Sequence, residues 1–594
     1  MRRFTALILS LLLLLSGCAT SGPDRPPAVC RVVLEEGEGF TAQAYVQETE
    51  YGGSIRFELH EKDGYRIEGS DASDATLTRD LSGVYLDLSD VKYTEVVRLA
   101  VKKSDEVLRY HAAGGIRLDG GSPDQPVEVP VTPSHLRLNT SPGTDLFRRD
   151  GYTLIGWNSE IDGSGTETGL GSRVASEDGM ILYAQWRKWT DSTSFDWEAD
   201  GAGVCVTGYH GADSSIVIPA MLDGKPVQRI GNGAFANVRC TEVILPETLI
   251  TLEDGAFEGC TLQALWLFDS IRDISDYGFS DCRELQTLHI NAAVPPVFSG
   301  TYYAAFPDKL DRLITLRDRQ KIVLFSGSST RFGYDSSKID EAFPDYEVVN
   351  MGVFAYTNAL PQFEIMLNCM KEGDILIHSP EFDAAQRQFC TNNNLDAAFF
   401  NMVECDYDAV SMLDLRNYGQ IFTPFHTFLV SRDGMPPVSY GLSPGDFDED
   451  GNPVNTRSYN AYGDYILYRP NSPEDTPVYG LPVKYTPEAI PYDSFIQPLN
   501  RVYRLFLDRG VRVYMTYSPR NKLAVSDDTT PDSIRALDRH LRDNLCVPVI
   551  SDIEGSLVSG RYLYGTDNHL STEGVAIRTN QIIDDLKSQL SQEE

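Results

Sequence analysis

The sequence of 594 residues predicts a multidomain chain, with small β modules first, a short solenoid in the middle and an α/β domain with a doubly wound parallel sheet last. Three patterns predict it. Apolar and polar residues alternate with period two from about 31 to 107, as in Ser54-Ile-Arg-Phe-Glu-Leu59. Phe235, Phe257 and Phe279 recur 22 residues apart in similar local sequence. Beyond about residue 310, short apolar runs alternate with amphipathic stretches.

Length and composition bound the rest. A chain this long exceeds one core and divides into about four domains. Apolar residues make up 42% and charged residues 23%, the balance of globular protein. A net charge of −35 excludes binding to nucleic acid or anionic lipid by charge. Ten cysteines without a Cys-x-x-Cys pair are too sparse for a disulfide framework, so buried thiols are expected.

Residues 1–17 open Met1-Arg2-Arg3, continue with an apolar run to Leu15 and end Ser16-Gly17, the layout of a secretory signal too short for a membrane span. Leu15-Ser16-Gly17-Cys18 resembles a bacterial lipobox. The resemblance implies cleavage before Cys18, lipid on its sulfur and a lipid-anchored, extracytoplasmic protein, with residues 18–30 as a Ser-, Gly- and Pro-containing tether.

The alternating segment 31–107 reads as a small β-sandwich without chemistry. Residues 108–187 carry Gly156-Trp157-Asn158, Asp162-Gly163-Ser164-Gly165 and Leu182-Tyr183-Ala184-Gln185-Trp186. In that order they resemble an internalin-type B-repeat (the Listeria–Bacteroides repeat), which implies a β-grasp-like spacer or adhesive module. Residues 195–297 hold the 22-residue period, with strand-like runs such as Val243-Ile244-Leu245, Leu265-Trp266-Leu267 and Leu288-His289-Ile290. They resemble BspA-type leucine-rich repeats of bacterial surface proteins, implying a rigid spacer or a surface for a protein or glycan partner.

In residues 310–594 the expected strands are 322–325, 347–351, 374–378, 511–516 and 547–550, separated by helices at 338–343, 362–371, 498–508, 532–544 and 572–590. Ligands of such a sheet bind beyond the carboxyl strand ends. Ser326-Gly327-Ser328-Ser329-Thr330 follows the first strand at that edge, and Ser329 is its candidate hydroxyl; Ser337 with Asp340 is the expected cap of the next helix.

Gly327-Ser328-Ser329, Asn350-Met351-Gly352 and Asp567-Asn568-His569, in that order, resemble the SGNH (GDSL-like) hydrolase superfamily. The resemblance implies acyl transfer with Ser329 as nucleophile, His569 as general base, and backbone N–H groups of Ser329 and Gly352 as oxyanion donors. Each such donor typically contributes about 3–4 kcal/mol. Arg331 at the second glycine position excludes the Gly-x-Ser-x-Gly elbow of α/β-hydrolases.

Two departures qualify it. The family's acid stands three residues before the histidine, a position held here by Thr566, so either Asp567 or a main-chain carbonyl orients the imidazole. Where the family has an oxyanion-binding Asn, this chain has Glu381, a donor only when protonated. The connection 384–510 is too long for a simple crossover and is expected to cap the site, with Phe399, Phe400, Tyr459, Tyr462, Tyr465 and Tyr468 either lining a sugar cleft or forming the insertion's own core. Asp446-Phe447-Asp448-Glu449-Asp450-Gly451 begins like a calcium loop but reaches Arg457 at the twelfth position, so no metal is assigned, and no cofactor is implied.

The expectation is a surface-anchored SGNH-type serine esterase or O-acyltransferase acting on ester groups of cell-wall or extracellular polysaccharide. The alternative is a non-catalytic adhesin or carbohydrate-binding protein with a degenerate last domain.

Overall fold

In the computed structural model the chain forms two units, residues 1–105 and 106–594. The structure describes residues 29–593 except 38, 43, 62–64, 73–74, 81–82, 104–106, 131–137, 176–179, 299–300, 355–356, 383–393, 436–459, 461, 466–467 and 473–481. Cys18, the acidic loop 446–451, Arg457 and Tyr459 therefore lie outside the described residues.

The first unit is all β. A four-stranded antiparallel sheet built around Gly53–Glu61 and Gly83–Val91 shares its core with a three-stranded sheet centred on Val29–Leu34. Period-two alternation sends Ile55, Phe57 and Leu59 inward, where they meet Val32 and Val97. Val29 and Cys30, expected to end the tether, already belong to a strand, and Cys30 is buried.

The second unit begins with the aromatic module. Val107–His111 pairs in parallel with Ile181–Lys188, which pairs antiparallel with Tyr152–Asn158. Trp157 is its fully buried centre, edge-on to Tyr110 at 4.8 Å and Phe147 at 5.9 Å, with its indole N–H donating to the Pro142 carbonyl.

The solenoid follows. Ser215–Val217, Glu242–Ile244, Ala264–Phe268 and Thr287–Asn291 form a parallel sheet in chain order. Asn237, Gly259 and Asp281 occupy one position of successive coils, and all three have left-handed backbone (φ 60°, 70° and 55°), which is why small or Asx residues recur there. The phenylalanines form a continuous stack, with Tyr209–Phe235, Phe235–Phe257 and Phe257–Phe279 centroids 5.6, 4.7 and 5.1 Å apart. Both ends are closed. The antiparallel pair Phe195–Asp200 and Gly203–Tyr209 starts the stack, and Phe422 of the last domain ends it.

In the last domain β1 (Lys321–Phe325), β2 (Glu347–Asn350), β3 (Ile375–His378) and β4 (Arg512–Met515) form an all-parallel sheet in the order β2-β1-β3-β4, and Val549 adds a parallel bridge to Met515. Strand order reverses at β1. The strands read as continuous apolar runs because both faces are covered, on one side by helix Thr572–Glu593 through Ile582 and Leu586. At their amino ends Lys321 and Asp374 form a fully buried ion pair, 2.6 Å.

The expected boundary between repeats and last domain is not a break in packing. One hydrophobic core runs from Phe195 through the solenoid to Ile553. Helices Ala397–Val403 and Phe422–Arg432 of the insertion supply the join. Phe399 and Phe400 are core residues here, packed with Phe425 and Phe428, and are not a cleft lining. Ser337 does not cap its helix, which starts at Ser336 behind Asp335; its hydroxyl donates to the Asp335 carboxylate at 2.5 Å.

Candidate active site

The turn after β1 leads into a one-turn helix α1 (Ser328–Arg331), so the two serines share a helical backbone. Consecutive helical positions differ by about 100° around the axis, and the side chains diverge accordingly. Ser329 turns inward: it is 1% exposed, and its hydroxyl lies 3.3 Å from the Ser518 hydroxyl. Ser328 faces the loop after the 3₁₀ turn Gly560–Tyr562, where its Oγ lies 2.8 Å from His569 Nε2. The structure thus brings His569 to Ser328, where the sequence expectation paired it with Ser329.

Local hydrogen bonds hold the imidazole. The His569 N–H donates to the Thr566 hydroxyl at 3.0 Å, its carbonyl accepts from Tyr564 N–H at 2.9 Å, and the ring lies on Phe332 with centroids 4.3 Å apart. Thr566, at the position expected for the family's acid, braces the loop backbone. Asp567 does not back the imidazole; its Oδ1 accepts from Asn521 Nδ2 at 3.0 Å and its carbonyl from Asn521 N–H at 2.7 Å. Asp567 is buried, and its carboxyl fastens one loop to another. Among the described residues, the ring's hydrogen bond is to Ser328 alone. Burial pushes the His569 pKa down to about 3, with the Arg331 and Arg469 guanidiniums adding to the effect. Both arginines are buried and stack on the same two rings, Phe332 and Tyr465, at 5.0–5.3 Å.

The expected oxyanion donors are placed differently. Gly352 packs against the turn so closely that a Cβ would stand 2.4 Å from the Arg331 nitrogen, which requires glycine there. Its N–H, however, donates to Asn350 Oδ1 at 2.9 Å. Asn350 Nδ2 in turn donates to the Thr330 carbonyl at 3.0 Å and to Asp464 at 2.8 Å, tying the end of β2 to the turn. The Ser329 N–H donates to Glu381 Oε1 at 3.1 Å, and Asn568 Nδ2 donates to Glu381 Oε2 at 3.0 Å. Glu381 therefore accepts on both oxygens. Of the other histidines, His378 is a core residue bound to the Tyr503 hydroxyl at 2.6 Å and pushed down to about 3 by burial.

Sequence reasoning missed Ser328, Asn568 and Arg469. The first two adjoin residues it selected, and a motif does not say which of two adjacent side chains faces the site. Arg469 lies in the long insertion, where no motif applies. Among the described residues no group of His, Cys, Asp or Glu is placed to hold a metal ion, and no helix is long and apolar enough to cross a membrane.

Comparison with known proteins bears on the middle of the chain. Residues 214–306 match the BspA type leucine rich repeat region, in six copies. The fold and this match define a multidomain, sheet-rich protein carrying BspA-type leucine-rich repeats. A protein of Evansella cellulosilytica described as "Putative membrane protein" is 32% identical over 145 residues, which cover 21% of this chain and 22% of that relative. The chain thus matches about a fifth of that relative's length. The crystal structure of a leucine-rich repeat protein of T. pallidum is similar at 19% identity, covering 17% of this chain and 71% of that one, with a TM-score of 0.13. At that score the likeness adds nothing to the fold seen directly.

Proposed function

We propose that the last domain is an SGNH-like acyl-transfer centre in which Ser328 is the nucleophile and His569 the base. The observation that carries the reading is the 2.8 Å contact between Ser328 Oγ and His569 Nε2 beyond the carboxyl end of β1, where strand order reverses. A serine hydroxyl becomes an effective nucleophile when an imidazole at this distance takes its proton. In the reaction, Ser328 Oγ bonds to the ester carbonyl carbon as its proton passes to Nε2. The carbon–oxygen ester bond then breaks, and the departing alcohol takes that proton. Water or an acceptor hydroxyl repeats the sequence on the acyl-serine, giving hydrolysis or transfer. The substrate class is an ester-bearing cell-wall or extracellular polysaccharide, and the anchor is lipid on Cys18. The outward placement is supported by the leader-like first 17 residues and the BspA-type repeats.

Incubation with an activated short-chain ester, acid quench and peptide mass spectrometry test this assignment. Acyl mass on Ser328 is the expected result; a stable adduct on Ser329 with Ser328 unmodified would move the nucleophile, and turnover unchanged in Ser328→Ala would end the enzymatic reading.

A second reading, a surface binding protein with a non-catalytic last domain, is favoured by one feature. His569 has two guanidiniums near it and Asp567 turned away, so an imidazolium formed there lacks the stabilisation a triad acid gives.

A further inference from the structure

We propose that Glu381 is a built-in plug of this site, a carboxyl group that occupies the donors an acyl oxyanion needs and holds the resting protein at low reactivity. This rests on the acyl-transfer reading of Ser328 and His569. The two donors that grip Glu381 flank that pair in the chain: the Ser329 amide directly follows Ser328, and Asn568 directly precedes His569. A carbonyl attacked by Ser328 Oγ develops a negative oxygen that needs N–H donors already in place, and the amide that follows the nucleophile is one such donor in α/β-hydrolases. Here that amide already has an acceptor, and the acceptor belongs to the protein.

The plug is held from behind. Glu381 is 5% exposed and follows β3. The next residue, Phe382, is wedged among Tyr485, Phe495 and Tyr517 with ring centroids 5.9–6.2 Å away. The backbone is thereby fixed, while the glutamate side chain can leave by rotation about its own torsions. Gly352, the other donor expected from sequence, stays bound to Asn350, so the plugged amide is the backbone donor that release would provide. Substrate enters by displacing the carboxyl group from the Ser329 N–H.

A fluorophosphonate probe tests this without knowledge of the natural ester, since it reports serine nucleophilicity together with oxyanion stabilisation. Labelling rates of full-length wild type, Glu381→Gln and Glu381→Ala are compared at pH 7, each against a blank of the same protein with Ser328→Ala added. Glutamine keeps the shape and loses the charge; alanine vacates the donors. Both are expected to label Ser328 at least tenfold faster than wild type, with alanine at least as fast as glutamine. Lost packing slows labelling, so a gain in rate separates a plug from a structural role. Equal or slower labelling of Ser328 in folded Glu381→Gln overturns the plug while leaving the acyl-transfer reading intact. Failure of every form to label Ser328 overturns both.

Discussion

Phe279, in the last coil of the solenoid, stacks on Phe422 of the C-terminal domain with ring centroids 4.4 Å apart and planes 23° from parallel. The aromatic column of the repeats therefore ends inside the domain that carries Ser328 and His569. Phe257, in the middle of that column, is fully buried. Phe257→Ala should destabilise by about 3–5 kcal/mol, the usual cost of truncating a buried phenylalanine. Solenoid and last domain should then unfold in one transition, shifted down together. Calorimetry showing two separate transitions, with only the earlier one displaced, would contradict the shared core.

The two serines should separate cleanly. Ser328→Ala is expected to lower ester turnover ~10³-fold or more, as removal of a nucleophile does. Ser329→Ala loses a buried hydroxyl bonded to Ser518 and should cost less than about tenfold, or 1.4 kcal/mol in the barrier. Steady-state rates for both variants decide the matter, and the reverse order would return the role to Ser329.

Asp567 offers a different contrast. An acid that orients a catalytic histidine can be worth about 10⁴-fold. Because this carboxyl accepts from Asn521, Asp567→Asn keeps an acceptor oxygen and should leave kcat within about tenfold of wild type. Asp567→Ala should instead lower the melting temperature, and a kcat collapse in the asparagine variant would assign Asp567 to the imidazole after all.

Acid should affect activity and stability in different ways. With the His569 pKa near 3, the imidazole stays neutral and able to accept a proton well below the usual histidine range near 6.5. Turnover by folded protein should thus show no histidine limb near pH 6.5. Stability behaves otherwise. His378 and His569 near 3 and His289 near 4 are all lowered by burial, so the unfolded chain takes up protons that the folded one refuses. Their contribution is complete above pH 6.5 and is lost as pH falls towards 3–4. Burial raises the carboxyls of Asp406, to about 7, and of Asp269, Asp408 and Asp464, which act in the opposite sense. The histidine contribution is therefore read as the stability difference between wild type and His289→Gln. That difference should move against wild type as pH falls from 7.5 to 4.5, and a difference independent of pH would contradict it.

Cys18→Ser should move the protein from the membrane fraction to the soluble fraction if the lipid anchor is correctly assigned. Mass spectrometry of the membrane-bound form should find Cys18 as an acylated N-terminal residue.

Much of the architecture was legible because it follows from periodicity. The strand at 321–325 is an apolar run ended by small residues, and the 22-residue spacing of Phe235, Phe257 and Phe279 maps directly onto coils. Residue pairing in the site was less legible. Which of two adjacent serines meets His569 depends on the angle at which α1 leaves the sheet, and that angle is set by contacts such as Asn350 with the Thr330 carbonyl. Glu381 was recognisable as a departure from a donor, but its partners come from segments 52 and 187 residues away. The join between solenoid and last domain was also hidden, because Phe399 and Phe422 lie in an insertion without a period.

The aromatic module also closes a ring. Just past the module the Thr190 N–H donates to the Val217 carbonyl at the solenoid's start, the Leu170 carbonyl accepts from Ala292 N–H at its end, and Arg173 pairs at 2.7 Å with Asp308 on the helix Ala305–Thr315 that leads into the last domain. A free-standing solenoid can gain or lose coils one at a time, since each touches only its neighbours. This one cannot. Adding a coil advances the far end by a strand spacing of about 4.8 Å, more than the Arg173–Asp308 and Leu170–Ala292 contacts can stretch. The module acts as a caliper on the array, and gene duplications that change the repeat number should be tolerated only together with a compensating change in residues 108–187.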